Sequence, residues 1–128
     1  MAADGGVLIV DDDEDLRGMV EMVLNLEGYR VRAAGDGAEA LAEVEREMPA
    51  VILLDMRMPV MDGWTFATRF RARYGPAAPI VVLTAAADAR QRAQDIGAED
   101  FLAKPFSLPA LLWIVDRNLK TRAQPAQR

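Results

Sequence analysis

The chain has 128 residues, of which 52% are hydrophobic and 27% are charged, a composition typical of one globular domain with a buried core. Its formal net charge of −5 argues against non-specific binding to nucleic acid, because phosphate backbones attract basic surfaces. The chain has no cysteine, which excludes disulfides and thiol catalysis, and no histidine, so a phosphohistidine in its chemistry would belong to a partner.

The sequence has no signal for membrane insertion or secretion. No stretch approaches the roughly 20 apolar residues that cross a bilayer. Residues 1–6 lack the basic region and the long apolar region of a signal peptide. We therefore expect a cytoplasmic protein.

The first half of the chain predicts three strands and two helices. The apolar run at residues 7–10 predicts the first strand, and Gly28 is placed to end the helix that follows. The predicted inner face of that helix is Leu16, Met19, Val20, Val23 and Leu24. A second strand at residues 31–34, a turn at Asp36-Gly37 and a helix ending near Pro49 come before the third strand at residues 51–54. The second helix is expected to bury Ala38, Leu41, Ala42 and Val44.

The second half of the chain continues the alternation after a long loop. The third helix is predicted at residues 64–74, and Pro79 opens a strand at residues 80–83. A polar helix at about residues 87–96 is followed by Gly97 as its C-cap and by a strand at residues 99–103. Pro109 fits the first turn of the last helix. The predicted inner face of that helix is Leu108, Leu111, Leu112, Val115 and Leu119, and residues 121–128 are expected to be a frayed polar tail.

Five strands and five helices in strict alternation predict a doubly wound α/β domain with a parallel sheet. We expect one domain over residues 1–128, with an ordered core at about residues 6–120, frayed termini and no output domain in this chain. The common open sheet of five such units has strand order 2-1-3-4-5 and binds its ligand between strands 1 and 3. Strand 2 ends in Ala33-Ala34, whereas the other four strands end in polar residues.

Those polar strand ends predict phosphoryl-transfer chemistry. Asp11-Asp12-Asp13 follows the first strand, Asp55 the third, Thr84 the fourth and Lys104 the fifth. Because the carboxyl ends of parallel strands meet at one edge of a sheet, we expect these side chains to lie close together. One of the three consecutive acids can cap the helix, but the other two repel each other unless a cation joins them. The sequence therefore predicts a Mg²⁺ site at this edge.

Asp55 is predicted to be a carboxylate nucleophile that forms an acyl phosphate. It closes a fully apolar strand, where a carboxylate needs either a partner or a chemical role. Pro59 and Asp62-Gly63 are expected to form a tight loop above the strand, which can aim the backbone carbonyl of Arg57 at the metal. The structural alternative is that Asp55 only caps the loop.

Thr84 and Lys104 are predicted to contact the phosphoryl group. Threonine is common in strands and lysine on surfaces, but at this edge a hydroxyl and an ammonium can both donate to phosphoryl oxygens. The Lys104–Pro105 bond is a candidate for a cis peptide. Phe101 is interpreted first as a core aromatic, and Trp113 as an exposed residue that suits a partner contact.

Together these residues resemble the receiver domain of two-component response regulators, the CheY-like family, whose fold is flavodoxin-like. The resemblance covers essentially the whole chain. It depends on four motifs in combination: V-D-D-D after strand 1, L-L-D-M-R-M-P-V-M-D-G around Asp55, L-T-A at Thr84 and K-P-F at Lys104.

The resemblance implies a role for each of these positions. It implies that Asp55 is the phosphoacceptor and that Asp12 contacts Mg²⁺ directly, whereas Asp11 contacts it through water. The remaining implied roles are a switch threonine at Thr84, an invariant-type lysine at Lys104 followed by cis Pro105, and a rotating aromatic at Phe101. Phe101 lacks the hydroxyl of the tyrosine often found there, and Arg57 and Ala86 stand at positions that tune the lifetime of the phosphate.

The resemblance also implies a signalling domain, not an enzyme, although one that assists its own phosphorylation and dephosphorylation. A partner histidine kinase or histidine phosphotransfer protein would supply the phosphoryl group. The face built from helix 4, strand 5 and helix 5 would then change and bind an effector or a second copy of the chain.

Two other functions are open at this level. An aspartyl-nucleophile phosphohydrolase of the haloacid-dehalogenase type would need a second acid two residues after Asp55, where Arg57 stands. A degenerate receiver would serve only for docking or dimerisation, which the complete set of acids, Thr84 and Lys104 disfavours. A change in oligomeric state or partner affinity on phosphorylation would separate a receiver from a docking module.

Overall fold

Strands and helices alternate strictly in the computed structural model, which describes residues 5–85 and 87–123, with side chains as far as Lys120. The strands are β1 (Val7–Val10), β2 (Val31–Ala34), β3 (Val51–Asp55), β4 (Ile80–Ala85) and β5 (Asp100–Lys104). The helices are α1 (Glu14–Leu26), α2 (Gly37–Arg46), α3 (Gly63–Tyr74), α4 (Ala89–Ile96) and α5 (Leu108–Ala123). Residues 124–128 of the predicted tail lie outside the described residues, and residues 121–123 belong to α5.

The five strands form one parallel sheet in the order β2-β1-β3-β4-β5, which confirms the predicted fold. β1, β3 and β4 are continuous apolar runs because helices cover both faces of a parallel sheet. The register aligns the carboxyl ends: Val10 pairs with Leu54, and Asp55 with Leu83. On the far side of β4, Ala85 pairs with Lys104.

Alternate residues of the sheet supply two apolar layers, because successive side chains of a strand point to opposite faces. Leu8 and Ile52 face α2, α3 and α4, and the largest fully buried side chains on that side are Phe66 and Phe70 of α3. Those two rings lie at i, i+4, as the sequence predicts, with centroids 5.8 Å apart. On the other face, the alternate strand residues contact α1 and α5.

α2 differs from its predicted form at both its start and its inner face. The predicted turn at Asp36-Gly37 is the start of the helix itself. Asp36 is the N-cap and accepts a hydrogen bond from the Glu39 N–H at 2.9 Å. The buried residues are Gly37, Ala40 and Val44, whereas Ala38 and Ala42 are exposed. Val44 is buried as predicted, and the error concerns the alanines, because alanine indicates burial only weakly.

α5 turns most of its predicted inner face to the sheet, but the first residue of that face does not take part. Leu111 and Val115 are buried as expected, but Leu108 is 44% exposed in the first turn. The buried face continues instead through Ile114 and Asn118. Asn118 is buried because its amide donates to Asp100 Oδ2 at 3.1 Å and to the Ile114 carbonyl at 2.8 Å, which satisfies a polar group that an apolar pattern would not place inside.

Three further features of the helices are close to their predicted form. Trp113 is 59% exposed, as predicted, and the Arg117 guanidinium lies 4.9 Å from its ring centroid. Gly97 adopts a left-handed conformation and caps α4, also as predicted. Gly28 lies two residues beyond the end of α1, with Glu27 as the C-cap. Among the residues described, no helix has the length and apolar character that a membrane span requires.

Val60 in the loop between β3 and α3 is in a conformation that a β-branched residue rarely adopts. Its φ of 67° is left-handed, and its side chain is 84% exposed, so no packing compensates for the strain.

We predict that Val60→Asn raises the free energy of unfolding by about 1 kcal/mol, because asparagine tolerates a left-handed backbone and no buried contact is lost. Urea denaturation of the two proteins measures the difference. Val60→Ala is the matched control: it removes the branched side chain but keeps the restriction on φ, so it should gain less. An asparagine variant less stable than the parent would contradict the prediction.

Candidate functional site

The structure brings the polar strand ends together at one edge of the sheet. Asp11 directly follows β1, and Asp55 is the last residue of β3. Thr84 is the penultimate residue of β4, and Lys104 is the last residue of β5. Asp11, Asp55 and Thr84 are all buried. Such burial is tolerated only where the polar groups have partners, so their contacts decide what this edge can do.

Lys104 is the cation that joins the two buried carboxylates. Its Nζ donates to Asp11 Oδ2 at 2.8 Å and lies 3.6 Å from Asp55 Oδ1. Burial is the strongest influence on its pKa and acts to lower it, but the hydrogen bond to Asp11 and the attraction of both carboxylates outweigh burial, so the pKa of Lys104 is raised. The ammonium is therefore charged at neutral pH and offsets the repulsion between the two acids.

Both carboxylate oxygens of Asp11 are engaged. Oδ2 accepts from Lys104, and Oδ1 accepts from the Asp13 backbone N–H at 2.9 Å. The Asp11 carbonyl accepts from Arg17 Nη1 at 2.8 Å, which connects α1 to the end of β1. Sequence reasoning missed Arg17, since a guanidinium that contacts a backbone oxygen six residues earlier leaves no pattern in the chain.

The three consecutive acids after β1 divide into two roles. Asp13 caps α1 and accepts from the Leu16 N–H at 3.1 Å, which confirms that one of the three is a cap. Asp11, Asp12 and Asp55 each offer one carboxylate oxygen, and these oxygens all lie within 4.8 Å of one another. Three acids so close suit a bound cation, and an all-oxygen donor set suits a hard metal ion. The group can therefore hold a metal.

Asp55 is the carboxylate of this site whose charged form is least favoured by its surroundings. Burial, followed by the negative charge of Asp11, raises the pKa of Asp55 from its usual 3.8 to about 6. Lys104 and the Arg57 backbone N–H, which lies 3.4 Å from Asp55 Oδ1, act in the opposite direction without cancelling the increase. A cation or an electrophile beside Asp55 would relieve this penalty.

The loop after Asp55 folds back over the end of β3, as its motif predicts. The Gly63 N–H donates to the Met56 carbonyl at 3.0 Å. A Cβ on Gly63 would lie only 2.7 Å from the Met56 Cα, so the close approach requires glycine. Asp62 then caps α3 by accepting from the Thr65 N–H at 2.8 Å. The Arg57 carbonyl as a metal ligand stays a prediction.

An open pocket of about 500 Å³ lies beside Asp55, on the β4 side of the site. It is lined by Asp55, Arg57, Thr84, Ala85, Asp88 and Lys104. The hydroxyl, the ammonium and the nucleophile candidate therefore share one space, with the acidic group of Asp11 and Asp12 outside it. Asp88 was not identified from the sequence, where it was simply one acid near the start of a polar helix.

The residues predicted to act as a switch, Thr84 and Phe101, lie on the neighbouring strands β4 and β5. Thr84 pairs with Ala103 in the sheet, and Phe101 is two residues earlier in β5. Phe101 is half-buried, and the Arg90 guanidinium of α4 lies 5.3 Å from its ring centroid. The Lys104–Pro105 peptide bond is cis, as the sequence resemblance implies. The rotation of Phe101 stays a prediction.

Comparisons with known proteins find similar sequences over most of the chain. The sequence model of the response regulator receiver domain matches residues 7–116. The transcriptional regulatory protein PrrA of Mycobacterium tuberculosis is 41% identical over 122 residues, which cover 94% of this chain and 52% of PrrA. The response regulator MprA of Mycobacterium leprae is 40% identical over 121 residues, 93% of this chain and 52% of MprA. The chain thus spans about half the length of the curated relatives it matches.

Solved structures show the same architecture. The chemotaxis protein CheY4 of Vibrio cholerae superposes with a TM-score of 0.81 at 37% identity, covering 91% of this chain and all of that one. The receiver domain of NtrX from Brucella abortus superposes with a TM-score of 0.82 at 31% identity, covering 90% of this chain and 98% of that one.

We predict that Asp55→Asn raises the free energy of unfolding by about 1–3 kcal/mol at pH 7 without divalent metal, because asparagine removes a penalised anion. The folded carboxyl has a pKa of about 6 against 3.8 for its usual value, so the folded state binds the proton more tightly. The contribution of Asp55 to the parent's stability should therefore fall as the pH rises through about 4 to about 6, and the gain of the variant over the parent should be smallest near pH 4. Urea denaturation of both proteins in EDTA across this pH range measures the difference in the free energy of unfolding. A variant less stable than the parent at pH 7 would contradict the raised pKa of Asp55.

Proposed function

The chain belongs to the response regulator receiver domain family of two-component signal transduction, and from that membership we propose that Asp55 is the residue that accepts the phosphoryl group. The observation that supports this choice is the position of Asp55, which borders both the acidic group and the pocket that contains Thr84 and Lys104. A phosphoryl group bonded to Asp55 would meet the cationic and hydroxyl donors of that pocket.

The other two acids of the group are less suited to be the nucleophile. Asp11 is fully buried, and both its carboxylate oxygens already accept hydrogen bonds. Asp12 is exposed and does not line the pocket. Asp55 has a raised pKa and an open pocket in front of it, so its carboxylate gains most from bonding to an electrophile.

We infer that the metal is Mg²⁺, with Asp11, Asp12 and Asp55 as its acidic residues and the Arg57 carbonyl as a further oxygen ligand. The donor set fits, because Mg²⁺ in phosphoryl-transfer sites is bound through one or two carboxylates together with phosphate oxygens. When bound, Mg²⁺ would neutralise negative charge on the phosphoryl oxygens and on the acids.

The side chains of the pocket then position the reaction. The donor is a phosphohistidine. An Asp55 carboxylate oxygen bonds to phosphorus while the bond from phosphorus to the histidine nitrogen breaks, and the electron pair of that bond returns to the imidazole ring. Lys104 is already 3.6 Å from Asp55 and has further N–H groups for a phosphoryl oxygen, and the Thr84 hydroxyl can donate to another. Phosphoryl transfer depends mainly on such positioning and charge neutralisation, so no general base is required.

The donor lies outside these 128 residues, since they contain no histidine. A sensor histidine kinase or a histidine phosphotransfer protein has the required phosphoimidazole. The domain itself is a signalling module that assists its own phosphorylation and dephosphorylation.

We further propose that phosphorylation acts on the face formed by α4, β5 and α5. Movement of Thr84 toward the phosphoryl group would free space that Phe101 fills from the surface. Phe101 would then leave the Arg90 guanidinium, which now lies over its ring. The change would favour one of two conformations of this face, to which an effector or a second copy binds.

Asp55→Asn should abolish phosphorylation by radiolabelled acetyl phosphate in the presence of Mg²⁺, because the amide is not a carboxylate nucleophile. Gel autoradiography measures incorporation. Asp15→Asn is the matched control, since it removes an exposed acid of α1 outside the acidic group and should label normally. Undiminished labelling of the Asp55 variant would eliminate Asp55 as the acceptor.

Asp12→Asn should weaken Mg²⁺ binding at least about tenfold, because the affinity of such sites follows the number of charged ligands. Titration calorimetry of the unphosphorylated protein measures the dissociation constant. Asp13→Asn changes the charge identically one residue away but keeps a good helix cap, so it should bind Mg²⁺ like the parent. Equal weakening by both substitutions would mean that general acidity, not the acidic group, attracts the ion.

A further inference from the structure

The Asp88 side chain lines the pocket beside Asp55 and has no role in helix capping or in the proposed transfer of the phosphoryl group. It immediately precedes α4 and shares the pocket with Asp55, Thr84, Lys104 and Arg57. An acid is an unexpected lining for a pocket that accepts an anion, because like charges repel across so short a distance. Its presence there calls for a chemical explanation.

The ordinary role of an aspartate at this position is to cap the helix, and Asp88 does not do so. Asp13, Asp36 and Asp62 begin α1, α2 and α3, and each accepts a hydrogen bond from a backbone N–H at 2.8–3.1 Å. Asp88 has a helical backbone conformation, and its side chain makes no cap hydrogen bond. Within the described parts of the chain, its carboxylate has neither a hydrogen-bond partner nor an ion pair, so it is available to the pocket.

The other side chains of the pocket cannot accept a proton. Lys104 and Arg57 carry only N–H donors, and the Thr84 hydroxyl is directed at the phosphoryl group in the proposed reaction. In the acyl phosphate, an Asp55 oxygen would be bonded to phosphorus. Asp88 is then the side chain of this pocket that can accept a proton from water. It also lies on the open, β4 side of Asp55, whereas Asp11 and Asp12 lie on the β1 side, outside the pocket.

We propose that Asp88 orients the water that hydrolyses the acyl phosphate on Asp55, and so sets how long the signal lasts. This role rests on the proposed function of Asp55. The water oxygen bonds to phosphorus, and the bond from phosphorus to the Asp55 oxygen breaks with its electron pair returning to the carboxylate. One water proton passes to Asp88 and from there to the departing phosphate. The Asp55 carboxylate is restored and inorganic phosphate is released, and water is the only reactant consumed.

The test separates uptake from loss of the label. The parent, Asp88→Asn and Asp88→Ala are labelled with radioactive acetyl phosphate and Mg²⁺, the donor is removed by desalting, and protein-bound label is followed over time. Both variants should take up label at least as fast as the parent, because a repelling charge is gone. They should lose it about tenfold more slowly, because the water has lost its acceptor.

Two further variants distinguish a positioned acid from general effects. Asp88→Glu restores a carboxylate and should recover most of the rate of loss. Asp95→Asn removes the same charge from α4 outside the pocket, where Asp95 accepts from Gln91, and should behave like the parent. The melting temperature of Asp88→Ala should match that of the parent, since no cap hydrogen bond is removed.

Loss of label from Asp88→Asn at or above the parent's rate would overturn the proposal, as would equal slowing in Asp95→Asn. Failure of Asp88→Asn to take up label would also overturn it, because the acid would then serve formation of the acyl phosphate. A parent that takes up no label at Asp55 would instead refute the proposed function, so the two failures are distinguishable.

Discussion

The contact of Lys104 with Asp11 and Asp55 is the interaction on which this site depends. Two carboxylates at the end of an apolar sheet would destabilise it, and the ammonium between them makes their burial tolerable. β5 and β1 are separated by β4 and β3, so three strand spacings, about 14 Å, lie between the chains that carry Lys104 and Asp11. The long stem of lysine covers part of that distance, and the contact therefore joins opposite halves of the sheet across the site.

The apolar strands explain why the chemistry is confined to one edge. β1, β3 and β4 are covered by helices on both faces, so polar side chains are accommodated where these strands end. Lys104 compensates only part of the negative charge there, and the pKa of Asp55 stays raised. The burial of Asp55 and its repulsion by Asp11 both favour a metal ion and an electrophilic phosphoryl group at this site. The same two effects reduce the stability of the fold, so stability and signalling chemistry depend on one carboxylate. Thr84 lies at this edge, and Phe101 lies on the neighbouring strand β5, in the face formed by α4, β5 and α5.

Much of this arrangement could be predicted from the sequence because it follows from local patterns. Apolar runs give the strands, and the residues that follow them give Asp11, Asp55, Thr84 and Lys104. The inner faces of α2 and α5 were partly wrong, since alanine indicates burial weakly and Asn118 is buried by hydrogen bonds that only the folded chain creates. The availability of the Asp88 carboxylate could not be foreseen either, because an aspartate before a helix normally caps it.

Direct identification of the phosphorylated residue tests the central claim. The protein is phosphorylated with acetyl phosphate and Mg²⁺, the acyl phosphate is reduced with borohydride, and the peptides are sequenced by mass spectrometry. If the ammonium and the acidic group direct the phosphoryl group to the pocket, the reduced residue is found at position 55. Reduction at position 11, at position 12 or at an acid elsewhere in the chain would contradict this account of the site.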